Sequence, residues 1–241
     1  MTRLSSLDLD LGFDSKSRVH DLWRELSSRS SACGHSQQSL DRDLQTAWFE
    51  SSAEDGETRA FKVLLRKSAQ QWNQMGLQTS ISHSQILSSN LGVAVGTSVI
   101  DSRTIGVDLE STDRVQLPTV LRICKTFSER NRVSESLNVK MGISAGTLSA
   151  SQVRQQILAA LWVSKEAAFK AVSNRHQGQL PRVLSDLEFQ AIECRSEFSF
   201  NLELTFKFIK VEVATKSFQA LPPRGFETGF VTLGLALARA R

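Results

Sequence analysis

Tyrosine is absent from this 241-residue chain, so no phenol is available for acid–base chemistry. Cysteine is scarce too. Cys33, Cys124 and Cys194 are odd in number and widely spaced, and they form neither a CxxC pair nor a zinc-type cluster. Buried free thiols in a reducing compartment are the expectation. No apolar run approaches the ~20 residues of a membrane-spanning helix; the longest are short stretches such as 158–163 and 233–238. The first residues turn acidic at once without a signal-peptide core, so a cytoplasmic location is the default and a membrane partner is not expected. Also missing is a dense Lys/Arg stripe with interleaved aromatics, which argues against nucleic acid as a partner. No short internal period repeats.

What remains is enough for a sizeable core in one large domain or two small ones: 40% of the residues are apolar and 22% charged. The net charge of +4 is unevenly spread. The first 60 residues are acidic on balance, and the rest of the chain is basic. A mildly basic body suits an anionic small molecule or an acidic protein partner.

Apolar spacing predicts amphipathic helices over about 18–27, 40–49 and 58–72, with loops at 27–39 and 50–57. In the third helix Phe61, Leu64, Leu65 and Trp72 form the apolar side. Beyond residue 80 the texture changes. Ser80 to Ser82 lead into a short strand, 91–100 and 105–110 read as two more, and the turn at Asp101 predicts that this last pair forms a hairpin. Helices are expected over 117–127 and 130–139, and a loop over 141–149. A long helix follows from about Ser151 to Val172, capped by Ser149 or Ser151. Strands dominate the remainder: 187–191, the alternating 198–208, and 230–237. The sum is an α+β fold with antiparallel strands.

Three short stretches carry candidate chemistry. Alternation in the strand 105–110 turns Ile105, Val107 and Leu109 into the core and Gly106, Asp108 and Glu110 the other way. Two carboxylates one strand repeat apart, beside a space-leaving glycine, suit a hard divalent cation. Taken alone, the pair equally suits a solvated strand face. The helical segment Trp162-Val163-Ser164-Lys165-Glu166-Ala167-Ala168-Phe169-Lys170 sets Glu166 and Lys170 as i,i+4 neighbours, with Lys165 about a quarter-turn away. A carboxylate for a metal and ammonium groups for phosphate oxygens are one use of that pattern; a helix-stabilising ion pair is the other. Third, Ile81-Ser82-His83-Ser84 reads as a polar turn able to hold a phosphate through hydroxyls and an imidazole, or as a simple capping turn.

These three stretches, in this order, resemble the phosphopantetheinyl transferase superfamily, and within it the longer single-chain, surfactin-synthetase-activating type. The resemblance spans roughly residues 80–175. It implies a pseudo-two-fold fusion of two related halves, each an antiparallel sheet with packed helices, here about 1–102 and 103–241, in a monomer with one active site between them. It implies transfer of 4′-phosphopantetheine from coenzyme A to a serine of an acyl or peptidyl carrier protein, with release of adenosine 3′,5′-bisphosphate. Asp108, Glu110 and Glu166 inherit the magnesium ligands, and Glu166 and Lys170 the catalytic roles. Lys170 and nearby Lys165 inherit contacts with the coenzyme A phosphates, and His83, with Ser82 beside it, the 3′-phosphate. Glu166 is the first choice of base for the serine proton, with metal-bound water its rival. The segment 119–149 is the candidate carrier-protein surface, mixing Arg122, Lys125, Arg130, Arg132 and Lys140 with Leu121, Phe127, Leu137 and Met141.

The chain departs from the family pattern in three places. It lacks the Gly-Lys-Pro element before residue 80. Its N-terminal basic run is thin, with Arg59, Arg66 and Lys67 as candidates. Asn131 stands where a Phe-Ser-x-x-Glu motif has its glutamate. A non-catalytic relative that binds coenzyme A or carrier protein is the alternative.

Overall fold

A computed structural model of the chain describes residues 15–29, 44–52, 55–86, 89–98, 103–138, 149–174, 180–196, 198–220 and 229–240. Eight strands and five α-helices are found there. In chain order they are α1 (Ser15–Arg29), β1 (Leu44–Ser52), α2 (Asp55–Gln74), β2 (Gln78–Ile86), β3 (Ser89–Thr97), β4 (Thr104–Ser111), α3 (Leu117–Arg122), α4 (Phe127–Asn138), α5 (Ala150–Ser173), β5 (Glu188–Ser196), β6 (Ser199–Phe206), β7 (Ile209–Ala220) and β8 (Gly229–Ala240). Both sheets are antiparallel: one has three strands in the order β1-β3-β2, the other five in the order β4-β8-β7-β6-β5. The fold is therefore α+β, and each sheet has helices packed on it. No helix among the described residues is long and apolar enough to cross a membrane.

The helices lie where apolar faces need cover. α5 packs on one face of the five-stranded sheet, where Ile157, Leu161, Ala168 and Val172 join Phe200, Val211 and Val213. On the opposite face Leu22 and Leu26 of α1 meet Val107, Leu233 and Leu235, and Val93 and Val95 of β3 join the same cluster. The far side of the three-stranded sheet is closed by Phe61 and Leu65 of α2 over Ala94. The core thus runs across the boundary near residue 102. α5 starts where its chemistry says it should. Ser149 Oγ accepts from the Gln152 backbone N–H, and Gln152 Oε1 accepts from that of Ser149, a reciprocal cap.

Several expectations are corrected. Residues 44–49 form β1 rather than a helix, and β1 and α2 consume most of the loop expected at 50–57. The hairpin partner of β3 is β2, whereas β4 pairs with β8 in the other sheet, so the 91–110 hairpin does not exist. The helix expected over 117–127 ends at Arg122, and a new one begins at Phe127. Thr126 Oγ1 accepts from the Glu129 N–H there, the cap expected from a Thr-x-x-Glu sequence. The alternation over 198–208 breaks at Lys207, whose φ of 54° makes the tight turn from β6 into β7. Cys124 is buried as expected, and burial pushes its thiol up to about 11, but Cys194 is exposed. Cys33 and the loop expected at 141–148 lie outside the described residues.

Candidate functional site

The site is built where β4, the edge of the five-stranded sheet, meets α5 on one side and β2 on another. α5 reaches β4 because the contact surface is small. A Cβ on Gly106 would stand 2.0 Å from the Ala167 carbonyl oxygen and 2.5 Å from the Ala171 nitrogen, so no other residue fits without displacing the helix. Thr104 Oγ1 donates to the Ala171 carbonyl at 2.6 Å, and Asn174 Nδ2 donates to the Ile105 carbonyl at 3.1 Å. The helix is thereby locked along the strand, with the Asp108 side of β4 turned toward it.

β2 lies beside the free edge of β4 but joins it through side chains. Gln78 Oε1 and the hydroxyls of Ser80, Ser82 and Ser84 accept the backbone N–H groups of Ile105, Val107, Leu109 and Ser111 in turn, at 2.8, 2.9, 3.1 and 3.3 Å. The edge donors of β4 are satisfied without a backbone ladder. The stretch at 81–84 is thus strand, not turn. Its alternation splits the residues expected to share a phosphate: Ser82 is buried in the seam, while His83 is exposed on the other side, its ring 6.5 Å from Phe61 of α2.

The two strand carboxylates are not a solvated face. Asp108 is 6% exposed. Its Oδ1 accepts from Ser82 Oγ at 2.7 Å and from Lys170 Nζ at 2.7 Å. Glu110 Oε1 accepts from Ser84 Oγ at 2.5 Å and from the Ser111 N–H at 2.8 Å. Lys170 also donates to the Val107 carbonyl at 3.1 Å, so its partner is the strand aspartate rather than Glu166. That leaves Glu166 with no hydrogen bond or ion pair among the described residues. Burial holds its carboxyl above the usual glutamate range, the charges of Asp108 and Glu110 push it further, and Lys170 opposes them. Glu166 also lines a surface depression of about 450 Å³ with Arg122, Phe169 and Arg182.

Around His83, partial desolvation of the ring where it lies near Phe61 lowers the imidazole pKa although the residue is exposed overall, and the positive charges of Lys62, Lys170 and Arg66 lower it further against Asp108. Four basic groups from α2, β2 and α5 therefore share one field. Lys62 lies within the basic stretch 59–67 from which a phosphate contact is expected, but sequence does not single it out, because its influence on His83 comes from the packing of α2 against β2.

Lys165 does not belong to this group, which corrects the phosphate contact expected of it. Its side chain is 0% exposed, and its ammonium faces away from the strand acids. It pairs with Glu129 at 2.6 Å and donates to the carbonyls of Ile123, at 2.9 Å, and Leu187. Burial pulls its pKa down, and the Glu129 carboxylate holds it up. Glu129, two residues before the place where the family glutamate was sought, also accepts from the Phe189 and Lys125 N–H groups. Its cap spacing after Thr126 was the available signal. Ser82 is corrected in part: its one proton goes to Asp108, so it is not a free donor for a ligand.

Asp108 and Glu110 of β4 and Glu166 of α5 share one electrostatic field with Lys170, and oxygen donors are the kind a hard cation takes. Among the described residues, however, no three His, Cys, Asp or Glu side chains are drawn together as a ready metal cage. The hydrogen bonds of Asp108 and Glu110 all use Oδ1 and Oε1, which leaves Oδ2 and Oε2 without protein donors among the described residues. No protein-family model and no curated protein sequence matches the chain.

Of the surface expected at 119–149, Arg122, Lys125, Arg130 and Phe127 are exposed, Phe127 by 79%. Leu121 and Leu137 instead pack against the core, and Arg132 is held by the Phe189 carbonyl and Ser128. Lys140 and Met141 lie outside the described residues.

Proposed function

We propose that this chain transfers 4′-phosphopantetheine from coenzyme A to a serine of an acyl or peptidyl carrier protein, with magnesium as cofactor. The observation that supports the reading is the field that Asp108 and Glu110 of β4 share with Glu166 of α5: burial and the charges of those two acids hold the Glu166 carboxyl above its usual range, and its side chain has no hydrogen-bond or ion-pair partner among the described residues. A buried acid with a perturbed pKa beside a surface depression is a functional-site candidate. Asp108, Glu110 and Glu166 would hold the magnesium ion. When bound, it supplies positive charge against the pyrophosphate and the leaving oxygen.

The chain's own residues do the rest. Lys170, fixed by Asp108 and the Val107 carbonyl, neutralises phosphate oxygens as charge builds on them. His83, with Lys62 and Arg66 near it, receives the 3′-phosphate. An incoming dianion reverses the field that lowers the imidazole pKa and favours its charged form. The serine oxygen bonds to the phosphorus on the pantetheine side, the bond to the bridging oxygen breaks, and adenosine 3′,5′-bisphosphate leaves. The serine proton passes to Glu166, the first choice of base on α5. The same reading includes a monomer built from two fused halves; in its support, all three strands of one sheet come from 1–102 and all five of the other from 103–241.

The test is mass transfer to a carrier protein from coenzyme A with magnesium. The wild type should add the arm, and Glu166→Gln should add none while keeping its fold. A wild type that binds coenzyme A yet transfers nothing makes the chain a binding relative instead.

A further inference from the structure

The seam between β2 and β4 contains two kinds of serine. Ser80, Ser82 and Ser84 stand on one face of β2, and each accepts an N–H from β4. A hydroxyl also carries one proton to give. Ser82 gives it to Asp108 and Ser84 to Glu110, at 2.7 and 2.5 Å. Ser80, beside Val107, has no carboxylate partner among the described residues. Ser82 and Ser84 therefore each grip β4 twice, at a backbone N–H and at the side chain of the preceding residue. Both grips engage a single carboxylate oxygen.

We infer that Ser82 and Ser84 are positioning residues. They fix the orientation of the two strand carboxylates so that Oδ2 and Oε2 are presented toward a divalent cation. The inference rests on the proposed metal role of Asp108 and Glu110. Its physical ground is entropic and electrostatic. A glutamate with several rotatable bonds loses freedom on ligating an ion, and a hydroxyl donor pre-orders it while leaving its charge intact. The arrangement also explains a hydroxyl at both positions, which phosphate binding by Ser82 alone would not require.

Ser80 supplies the internal control, since Ser80→Ala removes one seam bond of the same kind without touching an acid. Manganese(II) is titrated calorimetrically into the wild type and into Ser80→Ala, Ser82→Ala, Ser84→Ala and Ser84→Thr. Amide exchange at Val107, Leu109 and Ser111 reports the integrity of the seam. The expected result is wild-type affinity in Ser80→Ala, a loss of about 10- to 100-fold in Ser82→Ala and Ser84→Ala, the range for removing a partner of a metal ligand, and recovery in Ser84→Thr. Equal weakening in all three alanine variants, or none in Ser82→Ala and Ser84→Ala, overturns the positioning role while sparing the metal reading. A wild type that binds no manganese overturns the metal reading itself, and this inference with it.

Discussion

Two adjacent residues on one helix turn have opposite fates. Lys165 points inward to Glu129, and Glu166 lines a surface depression with no hydrogen-bond or ion-pair partner among the described residues. A buried ion pair that loses one member leaves the other charge uncompensated, at a cost of about 3–5 kcal/mol. Lys165→Met should therefore lower the denaturation midpoint sharply, and Lys165→Met with Glu129→Met should recover much of that loss. A stable Lys165→Met with only a weakened affinity for coenzyme A would restore the phosphate contact. Glu166 should behave in the reverse way. A carboxyl raised in the folded state costs nothing while it is protonated in both states; the penalty builds as pH rises from the ordinary glutamate value to the raised one and is complete above it. Glu166→Gln is thus expected to be more stable than wild type at pH 8, by roughly 0.5–2 kcal/mol, with the gain gone by pH 4. Thermal melts across that range decide it, and a variant less stable at pH 8 contradicts the assigned environment. The same residue should show no transfer activity, a gain in stability at the expense of function.

Between elements, the decisive contact is α5 on β4, and Gly106 is its narrowest point. Gly106→Ala should force the helix away from the strand, costing about 1–3 kcal/mol as overpacking does, and should separate Glu166 and Lys170 from Asp108. Loss of activity is expected to exceed what the fraction unfolded explains; activity in step with the folded fraction would refute the idea. This scale also shows what the sequence could and could not convey. The strand 105–110 and the capped helix from Ser149 are legible because their periodicity and cap chemistry are local. β1 was misread because Leu44 to Phe49 mixes apolar and polar residues in a way that fits either period. β7 was missed because it continues from β6 through Lys207 and Phe208, which carry no turn signature, and because its alternation over 209–213 ends at Ala214 and Thr215, which are both buried. The false hairpin at Asp101 arose because β3 and β4 are neighbours in sequence and in space yet belong to different sheets. Of the site, the acids and Lys170 were readable from spacing. The burial of Lys165, its pairing with Glu129 and the turning of Ser82 toward Asp108 depend on which face packs, and that is decided by elements far away in the chain.

Across the whole molecule, charge is the property most open to measurement. Arg122 and Arg182 flank Glu166, Lys125 and Arg182 border a neighbouring depression of about 760 Å³, and Phe127 stands exposed nearby. An acidic carrier protein approaching this side would be steered, and steering acts on the encounter rate more than on the final affinity. The second-order rate of transfer should fall as salt rises from 20 to 500 mM (screening lengths of about 20 and about 4 Å), and Arg122→Ala or Arg182→Ala should flatten that dependence. A rate indifferent to salt in the wild type would remove the electrostatic part of the proposal. Recognition of the 3′-phosphate is separable: His83→Ala should slow coenzyme A but leave the dephosphorylated substrate unaffected, and equal losses on both would dismiss the contact.

The seam between the two sheets also bears on solubility. A sheet edge whose amide groups are unsatisfied is a template on which further strands can add. In the intact protein Gln78, Ser80, Ser82 and Ser84 occupy that row on β4. Because they do so through side chains, they cover the edge without extending the sheet, and they specify alignment as well. A slip of β2 by one residue would offer Thr79, Ile81 and His83 in their place, and an isoleucine cannot accept a hydrogen bond. A fragment beginning at residue 103 would carry the five-stranded sheet with this row uncovered. Such a fragment is expected to self-associate into strand-rich aggregates, and co-expression with the 1–102 segment to suppress them.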